Sequence, residues 1–345
     1  MQWVKYWLFT GLIFLFFQVV IGGITRLTGS GLSITKWDIV TGTFPPMSEE
    51  TWIEEFELYK KTPQYHKINA GMSISAFKWI YFWEYLHRLW ARTMGFVFLI
   101  PFLIFYRKKL ISNHLLRRLG VVILLAMLAA TFGWIMVASG LVNRPWVNAY
   151  KLSFHLCIAL SVYTALLWTY LEYKNGTVVK MIGVTDWSSF IFLLVLWLQL
   201  FLGGIMSGMK AGLFYPSWPD MNGEFIPQLV LNMSVFDVDE WIHYDVTGLA
   251  PAVIQLLHRS TAYFLFILGL ALFYRFHWRS QVPALNSAAR WFMLVLITQV
   301  ILGIITVIMC KGNIPVMWGV LHQAGALILL TVTLVLRFEI KNSPF

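Results

Sequence analysis

Eight runs of about 20 apolar residues divide this chain, near 4–24, 77–105, 119–139, 152–171, 188–208, 250–274, 289–309 and 315–336. Each is long enough to cross the roughly 30 Å of hydrocarbon in a bilayer as a helix. Hydrocarbon offers no partner to a backbone N–H or C=O, so such runs must satisfy those groups internally, as helices do. The expected fold is therefore an all-α integral membrane protein with eight transmembrane helices. Only 12% of residues are charged and 59% are hydrophobic, far from the roughly one-quarter charged residues of a soluble domain.

Basic residues orient the spans. The turns after spans 2, 4 and 6 hold Arg107, Lys108, Lys109, Arg117, Arg118, Lys174, Lys180, Arg275, Arg279 and Arg290, opposed by Glu172 and Asp186. The positive-inside rule places these turns and both termini in the cytoplasm. The turns after spans 1 and 5 carry most of the acid, including Glu49, Glu50, Glu54, Asp220, Glu224 and Asp239, and are the expected outer loops. The net charge of +10 thus describes a face apposed to anionic lipid, and nucleic-acid binding is not inferred from it. The first run is too long for a signal-peptide core and no Arg- and Ser-rich presequence precedes it, so the expectation is a retained span in a bacterial plasma membrane. Cys157 and Cys310, in or at the end of separate spans, form no metal-binding or disulfide pattern and read as small packing residues.

The chain repeats itself. GGITRLTGSGLSITKWD in the first half lies over GGIMSGMKAGLFYPSWPD in the second, with Gly22, Gly23, Gly31, Leu32, Trp37 and Pro46 falling on Gly203, Gly204, Gly212, Leu213, Trp218 and Pro227. EYLHR at 84–88 falls on QLLHR at 255–259, Gly133 on Gly303, and FHLCIAL at 154–160 on LHQAGAL at 321–327. The expected architecture is two tandem four-helix bundles, 1–175 and 176–345, related by a pseudo-twofold along the membrane normal. Binding sites are then expected in pairs.

Four of the eight histidines, His87, His155, His258 and His322, fall inside spans 2, 4, 6 and 8, one pair to each half and at similar depth toward the outer side. A lone intramembrane histidine is accounted for by a helix-to-helix hydrogen bond. Four at repeated places point instead to bis-imidazole haem sites between facing helices, with these residues as the iron ligands. Arg88 and Arg259 follow His87 and His258, and Arg26 and Lys36 lie where the first bundle opens; all are suited to haem propionates. An i, i+4 ion pair between Glu84 and Arg88 fits the same residues without haem. Glu84 and Gln255 occupy equivalent places, and only the first can ionise. Chemistry that moves a proton or stabilises a cation needs that acid, which assigns a catalytic role to Glu84, His87 and His155 and a cofactor role to the second half. In the first outer loop, Trp52, Ile53, Phe56 and Tyr59 recur at helical spacing behind a Ser48–Thr51 cap. That predicts an amphipathic helix, either a roof over the first site or an interfacial anchor.

These stretches together, with PPMSEETWIEEFELYKKTPQY, FGWIMVASGL and LLHRSTAYF, resemble the haem A synthase family over nearly the whole chain, in the subgroup shared by α-proteobacteria and mitochondria. Other members carry a cysteine pair in the first outer loop, which this sequence lacks. The resemblance implies oxidation of the C8 methyl of haem O to a formyl group, by hydroxylation and a second oxidation with loss of water. It implies substrate haem O near His87 and His155, with Glu84 as the acid beside it, and a haem B cofactor on His258 and His322. A haem O synthase and an electron donor are the implied partners, and self-association is left open. A dihaem b-type electron-transfer protein and a haem carrier remain the alternatives, both with similar ligands and neither with conversion.

Overall fold

The computed structural model describes residues 2–35, 44–140, 144–176, 186–231 and 237–343. Lys36, Trp37 and Lys180, singled out above, lie outside them. The described residues are nearly all helical: α1 (Gln2–Leu27), α2 (Glu49–Lys60), α3 (Pro63–Lys67), α4 (Ile74–Arg107), α5 (Asn113–Gly140), α6 (Ala149–Asn175), α7 (Trp187–Gly208), α8 (Val238–Ile242), α9 (Tyr244–Thr247), α10 (Leu249–Phe273), α11 (Pro283–Ile308) and α12 (Val316–Asn342). Eight of these, α1, α4 to α7 and α10 to α12, are long and apolar enough to cross a membrane, as the hydropathy pattern requires. The chain divides into two compact units, Met1–Leu166 and Leu167–Phe345.

In the first unit α1 and α4 run antiparallel along an aromatic seam. Trp7 meets Phe98 at 4.7 Å between ring centroids, Phe14 stacks on Trp90 at 4.8 Å, and the Trp90 indole N–H donates to the Phe14 carbonyl at 2.9 Å. Gly11 lets α6 in: a Cβ there would lie 3.1 Å from Leu166. At 34 residues, α4 is about 50 Å long, more than hydrocarbon requires, and its first turns carry a cap. Ser48 and Thr51 form a capping box that starts α2, and Phe56 and Tyr59 on that helix pack on Phe77, Ile80 and Tyr81 of α4, with Trp52 alongside. Ile53 instead faces outward, 52% exposed. The amphipathic face of α2 is thus spent mainly on protein, because Trp52, Phe56 and Tyr59 share one side of the helix and Ile53 lies off it.

Buried aromatics organise the second unit as well. Phe192 of α7 packs on Phe292 of α11. At the N-terminus of α7, little more than a turn before Phe192, Asp186 caps the helix by accepting from the Ser189 N–H at 2.7 Å and pairs with Arg275 at 2.8 Å. Arg337 of α12, buried in a span, donates to the Ser189 hydroxyl at 2.9 Å and lies over the Phe190 ring. A buried guanidinium with a hydroxyl and a ring face for company is tolerated far better than a bare charge.

Candidate functional site

Glu84 is 3% exposed and accepts from four donors among the described residues. The backbone N–H of Ser33 and its hydroxyl each donate to Oε2 at 2.8 Å, and the N–H of Ile34 donates at 2.9 Å. Arg88 donates to Oε1 at 2.6 Å, so the i, i+4 ion pair forms. The carboxylate thus staples the segment after α1 to α4. Four donors on one carboxylate commit its lone pairs, and it acts on its surroundings by charge.

The second unit makes the same staple with the polarity reversed. Gln255 donates through Nε2 to the Tyr215 carbonyl at 2.9 Å, while Arg259 donates to the carbonyls of Tyr215 and Asp220 at 2.9 and 2.7 Å. To residue 84 the first segment offers N–H groups and to residue 255 the second offers a C=O, and each side chain matches; the arginines do not reverse, since Arg88 donates to the Ile34 carbonyl at 3.5 Å as Arg259 does to that of Tyr215. The glutamate-for-glutamine difference therefore has a structural cause beside any chemical one. Arg88 and Arg259 both hold the outer segments; Arg26 sits in the last turn of α1.

The four span histidines share one kind of seat. A Cβ added to Gly22, Gly133, Gly203 or Gly303 would lie 3.0, 3.0, 3.2 and 2.9 Å from the rings of His87, His155, His258 and His322 respectively. Each imidazole thus packs flush on the backbone of a neighbouring helix, in a notch that any side chain would fill. His258 and His322 face each other with ring centroids 6.5 Å apart. Imidazole nitrogens sit about 2 Å from first-row metals, which puts two axial rings roughly 6 Å apart, so the spacing accepts one metal ion between them.

Glutamines complete the seats. Gln18 Nε2 lies 2.9 Å from His87 Nε2 and donates to the His87 carbonyl; Gln199 Nε2 lies 3.2 Å from His258 Nε2; Gln299 Nε2 lies 3.1 Å from His322 Nδ1 and donates to the His322 carbonyl at 3.0 Å. Each glutamine stands four residues before its glycine, on the same face of the helix. Thr25 and Thr306, three residues after Gly22 and Gly303, add hydroxyl donors to the carbonyls of Trp83 and Trp318, each at 3.1 Å. A cap closes over this end of the first unit: the Tyr59 hydroxyl donates to Gln64 at 3.1 Å, and Gln64 donates to the Gly29 carbonyl at 2.8 Å. Cys310 is buried and donates to the Thr306 carbonyl, in keeping with a packing role.

A family model described as cytochrome oxidase assembly protein, COX15-CtaA, matches residues 5–334. The chain belongs to the COX15-CtaA family. Among its relatives, proteins named "Heme A synthase" from Rickettsia africae and Nitrosospira multiformis are each 37% identical, over 98% of both chains and over 97% and 93%. One of the same name from Bradyrhizobium diazoefficiens is 38% identical over 95% of this chain and 89% of its own.

Within this COX15-CtaA chain, sequence reasoning found the histidines and singled out all four glycines as repeated positions, though not as seats, and it missed the glutamines. The signal was available: Gln-x-x-x-Gly stands at 18–22, 199–203 and 299–303. It also missed Ser33 and Ile34, which serve Glu84 largely through backbone N–H groups that leave no mark in a residue string.

Proposed function

We propose that this chain is a haem A synthase, oxidising the C8 methyl of haem O to a formyl group. The observation that carries the reading is the pair of glycine-seated histidines on separate spans in each unit, in a chain whose relatives bear that name. Residues 1–175 are the substrate half, with haem O between His87 and His155. Residues 176–345 are the cofactor half, with haem B between His258 and His322. His258 and His322 would hold that haem B, which would supply one-electron redox chemistry when bound. The two halves are read as four-helix bundles related by a pseudo-twofold, a reading supported by the matching seats.

Glu84 stands one helical turn before His87, on the same face of α4. Its four donors fix the carboxylate, so it serves the reaction by stabilising positive charge at the carbon being oxidised. Arg88, Arg259 and Arg26 are the cations read as facing propionates, Arg88 while paired with Glu84 and Arg259 while holding the Tyr215 and Asp220 carbonyls. Positive-inside bias puts both termini in the cytoplasm of a bacterial plasma membrane and the haem sites toward the outer side. A haem O synthase delivers substrate and a separate donor or acceptor handles electrons.

Pigment extraction with mass spectrometry, from cells that also express a haem O synthase, tests this. Wild type is expected to accumulate haem A, and Glu84→Gln to stop at haem O or its hydroxylated form. A wild-type protein that holds two haems and yields no haem A would transfer the assignment to a dihaem electron carrier or a haem carrier.

A further inference from the structure

One of the four seats lacks its glutamine. On the repeat, Gln299 and Gly303 of α11 correspond to Ala129 and Gly133 of α5. His155 bonds to the backbone at Ala129 and His322 to the backbone at Gln299, so the two positions are equivalent in space as well as in sequence. Only the second adds a side-chain amide. His155 and His258 both keep a buried Nδ1 with no hydrogen-bond partner, but His258, like His87 and His322, has an amide nitrogen within 3.2 Å of its ring, and no such amide stands at position 129. The space for the amide has changed with it. A Cβ on Gly325 would lie 2.3 Å from Gln299 Oε1, so a side chain there would displace the amide from its present place. The matching residue, three after His155 as Gly325 is three after His322, is Ile158. Gln299 with Gly325 has become Ala129 with Ile158, a coupled exchange of large for small across two helices.

The chemistry gives this exchange a use. An imidazole bound to a metal through one nitrogen carries a proton on the other, and the group accepting that proton fixes ring orientation and strengthens the ligand. Gln299 Oε1 is buried and unpartnered, and a half-turn of the amide brings it to the ring of His322. Nothing equivalent reaches His155 from position 129. A haem held on both faces offers its iron no open position, and any step at that iron needs one ligand of the substrate half to let go. We infer that Ala129, with Ile158, leaves His155 the releasable ligand of the substrate haem, while Gln18 anchors His87 and Gln199 and Gln299 lock the cofactor pair. This rests on the reading of the first half as the haem O site.

Carbon monoxide reports the difference without turnover, because it binds ferrous haem only where an axial ligand gives way. The full chain, purified from cells that also express a haem O synthase, is reduced and mixed with carbon monoxide, and its haems are quantified by extraction. In wild type one of the two haems is expected to form the adduct. Ala129→Gln with Ile158→Gly, which rebuilds the second-half seat in the first, is expected to slow that reaction by about 10- to 100-fold, the usual weight of an outer-shell partner. Gln299→Ala is expected to make the other haem reactive. Unchanged rates in the double variant, or equal reactivity of both haems in wild type, overturn the inference while haem A in the extract keeps the synthase reading. Wild-type preparations with one haem and no haem A bring the synthase reading down; an inert Gln299→Ala in them overturns the hold assigned to that amide too.

Discussion

Glu84→Gln tests the staple separately from the reaction. The amide oxygen can still accept from Ser33 and Ile34, but the amide N–H₂ then faces the Arg88 guanidinium, which sat 2.6 Å from Oε1, donor against donor. Breaking one side of a buried ion pair costs about 3–5 kcal/mol. The lower end applies here, because Arg88 retains 14% side-chain exposure and water reaches it in part. A loss of about 3 kcal/mol in the local closed state corresponds to about a 100-fold rise in its opening. Hydrogen exchange of a peptide covering residues 28–35, followed by mass spectrometry in detergent, reads that directly. A peptide spanning the Phe192–Phe292 contact of the second unit serves as the internal control and is expected to keep its wild-type rate. Wild-type protection of residues 33 and 34 in the variant would refute the staple and leave Glu84 with chemistry alone. Exchange 100-fold faster together with normal haem A production would instead remove the acid from the mechanism and keep it as an architectural residue.

Replacing His258 or His322 by alanine is expected to remove haem B from the purified protein, measured as the pyridine adduct, while the first-half haem stays. Gly303→Ala and Gly133→Ala place a methyl 2.9 and 3.0 Å from the His322 and His155 rings; each is expected to shift the optical spectrum of its own haem, and Gly203→Ala, with 3.2 Å available, to shift it less. Tyr59 has its hydroxyl pKa raised above 10.0, chiefly by burial. The stability it contributes is therefore complete below pH 10 and lost as pH climbs through the raised value. Tyr59→Phe is expected to delete one late tyrosinate step from an absorbance titration and to blunt the alkaline unfolding of the α2 cap.

The eight spans were legible because hydropathy over 20 residues is a long-range average that no single polar residue disturbs. Their ends were less so. The sequence puts the last span's end at 336, and α12 runs on to Asn342, since Arg337, Glu339 and Lys341 are good helix formers that hydropathy counts as a stop. The histidines were legible through repetition, and so were Gly22, Gly133, Gly203 and Gly303. Gln18, Gln199 and Gln299 were not, since a glutamine in a span carries no charge and looks like filler until the facing helix is known. The arginines beside the histidines suggested propionates from charge alone; Arg259 reaches two carbonyls of a turn that lies 39 and 44 residues earlier in the chain, a contact without periodicity to betray it.

The reversed staples bear on how a duplicated gene can drift. After two copies arise, residue 84 and residue 255 begin as the same amino acid, and so do the segments they hold. A change in the side chain alone sets oxygen against carbonyl or N–H against N–H, and a change in the segment alone does the same. Neither copy could cross to the other's solution by one neutral step. The halves of this protein are therefore not interchangeable parts: a chimera that transplants EYLHR into the second half needs the donor turn with it, and a family tree drawn from either half should show the two regions changing together.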